Sequence, residues 1–304
     1  MDFSGLFNMQ IMLFLVMLSG VYLRKSGMIN EDGKNMISNL VINVTLPASI
    51  LKSFQMEMTQ DIFLSCLEVT AVAILIQIGA FLLGRFLYNR YEDRRKKVLQ
   101  YATICSNAGV LGNAIAEGIF GEMGLLYASI YVIPQRVFMW SVGLSYFTEA
   151  PDGRKLIKKV LTHPCIIAVI LGFPVMIFQI PIPEFLSMTI RTVAGANTFL
   201  AMLLIGTILA RVKVCEMADK DVWYYTAVRL ILVPALVWAG CSLAGADSLV
   251  TGVCVVLSGM PAASTTAALA SRYQKDEIFA TKCVVFSTLM SMVSVPLWCM
   301  ILGA

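Results

Sequence analysis

Two stretches of the chain place glycine, proline and small polar residues in the middle of long apolar runs, where a broken helix could bind a ligand. In residues 105–114, two glycines and two asparagines weaken a helix and need hydrogen-bond partners inside a bilayer. In residues 257–266, Pro261 lacks an N–H and disfavours the helical conformation of Met260. We therefore expect both helices to be interrupted, the second of them at Met260.

A half-helix that restarts after each break would point its free N–H groups and the positive end of its dipole at a shared cavity. Such a cavity is typical of an anion site. The alternative is a close helix contact made by small residues, with no ligand. The candidate binding residues in these stretches are Asn107, Gly109, Gly112, Asn113, Met260, Pro261, Ser264 and Thr265.

Ionisable residues inside apolar stretches are the second source of chemistry, because a charge at membrane depth is expensive and indicates function. Arg136 follows Gln135 near the middle of its stretch, and its guanidinium could grip a carboxylate with two hydrogen bonds. We include both residues among the candidates for substrate binding. The alternative role for Arg136 is an internal ion pair with Glu117 or Glu68, and the two roles could alternate.

Glu117 and Glu68 are also candidates for carrying a proton. Glu117 lies four residues after Asn113, on the same helix face, where a carboxylate could gain and lose a proton. The alternative for Glu117 is a salt bridge to a basic neighbour. Arg191 and Arg229 lie closer to the ends of their stretches, and we expect them to extend towards the membrane surface.

The composition indicates an all-α membrane protein. Hydrophobic residues make up 58% of the chain and charged residues 14%, against about 45–50% and about 25% in soluble domains. The eight cysteines form no C-x-x-C pair and His163 is the single histidine, so we predict no metal, no cofactor and no catalytic residues, and hence no enzyme. The net charge of +4 requires no nucleic-acid partner.

Ten stretches are long and apolar enough to cross a bilayer, which takes about 20 residues as a helix. They are Leu6–Arg24, Lys34–Phe54, Ile62–Tyr88, Val98–Phe120, Gly124–Phe147, Pro164–Ile180, Glu184–Ala210, Val222–Ala244, Ser248–Ser271 and Phe279–Ile301, called spans one to ten below.

The basic residues predict the orientation of these spans. All but four of the 23 lysines and arginines fall in or beside alternate loops, and the exceptions are Lys52, Arg136, Arg191 and Arg229. Under the positive-inside rule these loops are cytoplasmic, so both termini would be extracytoplasmic, in the plasma or inner membrane. Five spans per half make the two halves inverted repeats, residues 1–148 and 164–304, joined by a cytoplasmic linker at 149–163 with a short interfacial helix.

Several motifs resemble the auxin efflux carrier family, including its bacterial members. They are the stretches Asn43–Pro47, Ser106–Gly109 with Gly112, Phe120–Gly124, Pro261–Ala263, Ala268–Tyr273 and Phe286–Leu289. The resemblance covers essentially the whole chain and agrees with the predicted topology.

The resemblance implies a PIN-type fold, similar to that of the bile-acid sodium symporters. Spans one, two, six and seven would form a scaffold, and spans three to five and eight to ten a mobile transport domain in which broken spans four and nine cross. Relatives carry organic anions such as auxin, malate or malonate by an elevator-like motion, and plant relatives form homodimers through the scaffold.

Three positions depart from the family pattern. Ala114 and Phe199 stand where relatives often have proline, which predicts a less sharply kinked crossover on the span-four side. Arg136 stands where many relatives have asparagine, which would place a full positive charge near the cavity.

These features favour a secondary carrier of a small organic anion. One alternative is a symporter coupled to Na⁺ or H⁺, in which oxygens at the crossover hold the ion. A second is a membrane receptor that binds a ligand without moving it. The substrate, the direction of transport, the coupling ion and the oligomeric state remain open at this point.

Overall fold

This computed structural model describes residues 3–55, 59–147, 161–210, 219–263 and 265–303. In these ranges the chain is all-helical, and the one β-type pairing among them is an isolated bridge between Ser106 and Ala262. The α-helices are α1 (Phe3–Lys25), α2 (Glu31–Leu40), α3 (Leu46–Ser53), α4 (Gln60–Leu87), α5 (Asp93–Ile104), α6 (Leu111–Phe138), α7 (Pro164–Ile177), α8 (Glu184–Gly195), α9 (Asn197–Leu209), α10 (Lys220–Ala227), α11 (Val233–Ala244), α12 (Ser248–Ser258), α13 (Thr265–Arg272) and α14 (Glu277–Leu302).

Polar side chains fix the starts of several helices. Thr59 Oγ1 accepts a hydrogen bond from Ile62 N, and Asp276 Oδ1 accepts one from Phe279 N. Asp247 Oδ1 accepts two, from the N–H groups that follow it. Each cap satisfies N–H groups that have no partner inside the helix. The predicted starts of spans three, nine and ten are therefore within two residues of the observed starts of α4, α12 and α14.

Five helical stretches in the described ranges are long and apolar enough to cross a membrane. They are Gln60–Leu87, Leu111–Gly143, Glu184–Ile208, Lys220–Ala244 and Glu277–Leu302. The helices Pro164–Ile177 and Ser248–Ser258 are apolar but shorter. The structure is that of a multi-pass membrane protein, as the composition predicted.

One of these stretches folds back on itself. Gly121, with φ 68° and ψ −154°, is non-helical inside α6. A Cβ built on Gly124 would be 2.5 Å from Ala116 O, although eight residues of straight helix would separate them by about 12 Å. The chain therefore reverses at Gly121, where the sequence predicted the turn between spans four and five.

Two prolines are preceded by π-helical turns. Val41–Thr45 comes before Pro47 in α3, and Val228–Leu232 comes before Pro234 in α11. Proline cannot donate to the carbonyl four residues earlier, and π-turns are one way for a helix to absorb this loss. Leu230 O, the carbonyl that Pro234 leaves without its helical donor, accepts a 2.9 Å hydrogen bond from the Trp298 indole.

The helices pack as two groups. In the first, α1–α3 and α7–α9, the α1 and α9 backbones touch: a Cβ built on Gly206 would be 2.0 Å from Met17 O, and α3 packs on α7 and α8. In the second, α4–α6 and α10–α14, α6 packs on α4 and α12, and α14 packs on α10 and α13. Helix α6 also contacts α3 and α9 of the first group.

The predicted interfacial helix of the linker cannot be placed, since residues 148–160 lie outside the described residues. The same holds for Ser264, one of the candidate binding residues, and for residues 211–218.

Candidate functional site

The two predicted interruptions are present, and they lie against each other. Helix α5 ends at Ile104 and α6 begins at Leu111, with a 3₁₀ turn at Asn107–Gly109 between them. Helix α12 ends at Ser258 and α13 begins at Thr265. Asn107 N donates to Pro261 O at 2.7 Å, and Ala263 N donates to Cys105 O at 3.0 Å. The chain is therefore non-helical at Met260, as predicted, and the two interrupted segments contact each other through their backbones.

The segment before Asn107 is extended rather than gently bent. Cys105 has φ −105° and ψ 95°, and Ser106 has φ −91° and ψ 165°. The chain is thus fully interrupted here although Ala114 stands where relatives often have proline. The reason is tertiary, because the backbone groups freed from helix hydrogen bonds find partners in the other broken helix.

The two glycines of the first segment make different contacts. A Cβ on Gly112 would be 2.5 Å from Leu257 Cδ2 and 3.2 Å from Met260 Cγ, so this glycine allows α6 to pack tightly on α12. A Cβ on Gly109 would be 2.7 Å from Arg136 Nη2. Gly109 thus leaves the space that the Arg136 guanidinium fills beside the unwound segment.

The partly buried Arg136 guanidinium has no carboxylate within 4 Å among the described residues. The one hydrogen bond it makes to them is a weak one, from Nη1 to Met139 Sδ at 4.0 Å. The ion pair with Glu117 or Glu68, which the sequence left as the alternative, does not occur in this structure. The charge of Arg136 acts on His163, whose imidazole Nδ1 accepts a hydrogen bond from Cys165 N at 3.3 Å.

Burial, and to a smaller extent the charge of Arg136, lower the pKa of His163 to about 4. The imidazole is therefore neutral at physiological pH and adds no second positive charge to the surroundings of Arg136.

Gln135 supports the unwound segment. Its Nε2 donates to Ser106 O at 2.7 Å, and its Oε1 accepts from Ser106 Oγ at 3.2 Å. The Thr265 hydroxyl accepts from Tyr101 OH at 3.2 Å. Gln135 and Thr265 are thus next to the crossover, but their polar atoms already have protein partners.

Two candidate asparagines retain hydrogen-bonding capacity. Asn113 is 1% exposed, and its Oδ1 has no partner among the described residues. Within the same ranges the partly exposed Asn107 side chain makes no hydrogen bond either, although its backbone is paired. A buried polar atom without a partner is costly, so Asn113 Oδ1 is a natural acceptor for a ligand or water.

The two candidate carboxylates lie away from Arg136. Glu117 Oε1 is 4.0 Å from Lys52 Nζ, which is the salt-bridge alternative raised by the sequence. Glu68 Oε1 accepts from Asp247 N at 3.3 Å, at the start of α12. The crossover follows the other end of that helix, about 16 Å away for 11 residues, so Glu68 is not brought to the site.

A cavity of about 60 Å³ adjoins the first turn of α6, where the two helix groups meet. Leu111 and Ile115 line it from α6, Met202 from α9, and the hydroxyls of Thr288 and Ser291 from α14. The space is mostly apolar and would hold one or two waters.

Arg229 is the residue whose position the sequence interpretation got wrong. It is 2% exposed and does not extend to the membrane surface. Its Nε donates to Met260 O at 2.9 Å and its Nη1 to Thr103 O at 2.8 Å, so it contacts both interrupted segments. The π-turn before Pro234 contains Arg229. The sequence feature that could have indicated this buried position is an arginine five residues before a proline within a span.

A helical membrane fold with paired interruptions is typical of membrane transporters. The chain belongs to the membrane transport protein family (Mem_trans), whose model matches residues 7–158 and 153–299. This confirms the resemblance to the auxin efflux carriers, and membership of a transporter family means that the protein is not an enzyme.

Similar proteins from archaea and bacteria extend over nearly the same length. The chain is 28% identical to an uncharacterized transporter of Methanothermobacter thermautotrophicus, covering 99% of this chain and 100% of the relative. It is 26% identical to the uncharacterized transporter YfdV of Escherichia coli, covering 94% of each. It is 20% identical to a Rhizobium meliloti protein named "Putative malonate transporter", covering 88% of this chain and 87% of the relative.

Proposed function

We propose that this protein carries small organic anions across the membrane, and that Arg136 binds the carboxylate of the substrate beside the unwound segment 105–110. The carrying observation is the Arg136 guanidinium, which no described carboxylate neutralises although it is partly buried. A carboxylate bound there could form two charge-assisted hydrogen bonds.

Two further groups favour an anion at this position. The N-terminal turn of α6 follows the break, and its dipole and free N–H groups stabilise negative charge. The partly exposed Asn107 side chain makes no hydrogen bond to the described residues, so its amide N–H groups can donate to an anion. The free Oδ1 of Asn113 is an acceptor, so it would accept a hydrogen bond from a hydroxyl of the substrate or from a water and would not contact the carboxylate. The name of the Rhizobium meliloti relative, at 20% identity, is consistent with a dicarboxylate of the size of malonate.

The proposal includes ten spans in two inverted repeats, residues 1–148 and 164–304, with both termini extracytoplasmic. The scaffold would be α1–α3 with α7–α9, and the mobile domain would be α4–α6 with α10–α14. Support comes from the packing of these helices as two groups and from the near-equivalent interruptions in the two halves. Alternating access would then be an elevator-like movement of the second group past the first.

Transport assays in proteoliposomes test the assignment of Arg136. We expect uptake of radiolabelled malonate, malate or an indole carboxylate by the parent protein. Arg136→Ala should lower it about 10- to 100-fold, since hydrogen bonds between charged groups contribute about 1.5–3 kcal/mol. Arg136→Lys should retain part of the activity, because it keeps the charge without the planar fork.

Arg191→Ala is the matched control, because Arg191 is another arginine of a predicted span but is exposed. It should change uptake by less than about twofold. Equal uptake by Arg136→Ala and the parent would refute the binding role, and a parent that moves no carboxylate would refute the function.

Cross-linking through α1 and α8 in membranes tests the homodimer that the family resemblance implies.

A further inference from the structure

Arg229 holds a permanent positive charge at the carbonyl ends of both broken helices. Thr103 is in the last turn of α5, and Met260 follows the end of α12. The guanidinium donates to the backbone oxygens of both residues, at 2.8 and 2.9 Å. In the described part of the chain no carboxylate lies within 4 Å of Arg229, so its charge is balanced by carbonyl oxygens and helix dipoles rather than by an ion pair.

The chemistry of these positions is that of a cation site. The last carbonyls of a helix have no intrahelical donor and form the negative end of its dipole. In transporters with broken helices, such carbonyls and unwound segments coordinate the Na⁺ that drives transport. Arginine is protonated at any physiological pH, so it can supply the same charge without a dissolved ion.

Other crossover carbonyls also have protein donors. Ala102 O accepts from Tyr225 OH at 3.0 Å, and Tyr225 lies one helical turn before Arg229 on the same face. Cys105 O and Pro261 O accept from backbone N–H groups of the opposite segment. In addition, no cluster of three or more acidic, histidine or cysteine side chains that could hold a metal occurs among the described residues.

We propose that Arg229 is a built-in cation that occupies the place a dissolved Na⁺ would take at the crossover. The protein would therefore need no Na⁺ there, either to keep the two breaks together or to bind substrate. Arg229 acts as a positioning residue, since it holds the carbonyl ends of α5 and α12, whereas the Arg136 guanidinium lies next to Gly109. The statement about transport rests on the proposed function; the statement about cation binding does not.

The experiment compares the parent with Arg229→Ala, Arg229→Lys and Tyr225→Phe in NaCl and in choline chloride of equal ionic strength. Thermal unfolding of the purified protein in detergent is the first readout, and carboxylate uptake into proteoliposomes is the second. Tyr225→Phe is the matched control, because it removes a hydrogen bond to the same half-helix end without removing a charge.

For the parent, we expect the same Tm in both salts and uptake rates that agree within about twofold. Arg229→Ala should unfold at a lower temperature and lose at least about tenfold in uptake, as charged hydrogen bonds are lost. Added Na⁺ or free guanidinium should restore part of both, because it can enter the vacated space. Arg229→Lys should have nearly the Tm and the uptake of the parent. Tyr225→Phe should have a lower Tm than the parent, and neither Na⁺ nor free guanidinium should raise it.

Stabilisation of the parent by Na⁺ over choline, or uptake that falls more than about tenfold without Na⁺, would overturn the inference. So would an Arg229→Ala protein that responds to neither cation. If Arg229→Ala does not fold, the parent in the two salts and Arg229→Lys still decide the question. If the parent transports no carboxylate, the proposed function fails while the Tm comparison still tests Arg229.

Discussion

Lys52 Nζ lies 3.1 Å from Glu122 Oε1, so a salt bridge joins α3 of the first helix group to α6 of the second. The same ammonium is 4.0 Å from Glu117 Oε1, on the other side of the fold-back at Gly121. Any movement of α6 past α3 would have to separate these charges. Both Lys52 and Glu122 are partly solvent-exposed, which limits the pair to about 1 kcal/mol.

The first prediction follows from this bridge. Lys52→Gln should raise the transport rate at low ionic strength by up to about fivefold, because the cost of breaking the pair is removed. Added salt should accelerate the parent by screening the pair and should leave the variant unchanged. Uptake measured across a series of ionic strengths tests this expectation.

Lys34→Gln is the control, because the Lys34–Glu31 pair lies within α2 and does not join the two groups. It should keep the salt response of the parent. The same salt response in Lys52→Gln and in the parent would contradict a role for the bridge in the movement.

The second prediction concerns proton coupling through Glu117. Its Oε2 is buried and has no hydrogen-bond partner among the described residues, while its Oε1 faces Lys52 at the limit of ion pairing. A carboxylate held this weakly can take up a proton when the bridge separates. We expect Glu117→Gln to abolish stimulation of uptake by a pH gradient while exchange of labelled for unlabelled substrate continues.

Glu68→Gln separates Glu117 from the other candidate carboxylate. Since Glu68 accepts a hydrogen bond from Asp247 N at the far end of α12, this variant should respond to the pH gradient as the parent does. Loss of the response in Glu68→Gln alone would move the coupling role to that residue.

The third prediction concerns the contact between α1 and α9. A Cβ on Gly206 would lie 2.0 Å from Met17 O, a backbone atom that cannot move without displacing the helix. Gly206→Ala should therefore destabilise the protein by about 1–3 kcal/mol. Gly79→Ala, where a Cβ would meet nothing within 4 Å, should be neutral or stabilising by up to about 1 kcal/mol. Thermal unfolding in detergent distinguishes the two, and a Gly206→Ala protein as stable as the parent would contradict the close contact.

Local chemistry made much of the site predictable from the sequence. Proline acts on its own backbone and on the residue before it, so the break at Met260–Pro261 followed from two adjacent residues. Gly109 and Gly112 weaken a helix through their own backbones, so the first interruption followed from local sequence in the same way. The turn at Gly121 was predictable because one apolar stretch ends just before it and the next begins just after it.

The contacts that bring these segments together could not be predicted, because they join residues far apart in the chain. Arg229 and Thr103 are separated by 126 positions, and nothing in their local sequence identifies them as partners. The expectation that Arg229 reaches the membrane surface rested on its distance from the helix end. It was wrong because the nearby carbonyls of two broken helices satisfy its charge inside the protein.

The last prediction separates binding from packing at the two glycines of the first interruption. In Gly109→Ala the new methyl group meets the end of the flexible Arg136 side chain. The guanidinium can move away, so the fold should keep its Tm. Its displacement from the binding position should raise the KM for carboxylate about 3- to 30-fold, since small misplacements of a binding group are costly.

In Gly112→Ala the methyl group meets Leu257 and Met260 in the packed α6–α12 contact. This variant should lose about 1–3 kcal/mol of stability, with a lower Tm whether or not substrate is present. Measuring KM and Tm for both proteins decides between the two roles. A higher KM for Gly109→Ala at unchanged Tm supports Arg136 as the ligand of the carboxylate, whereas a drop in Tm without a change in KM would show that Gly109, like Gly112, serves packing alone.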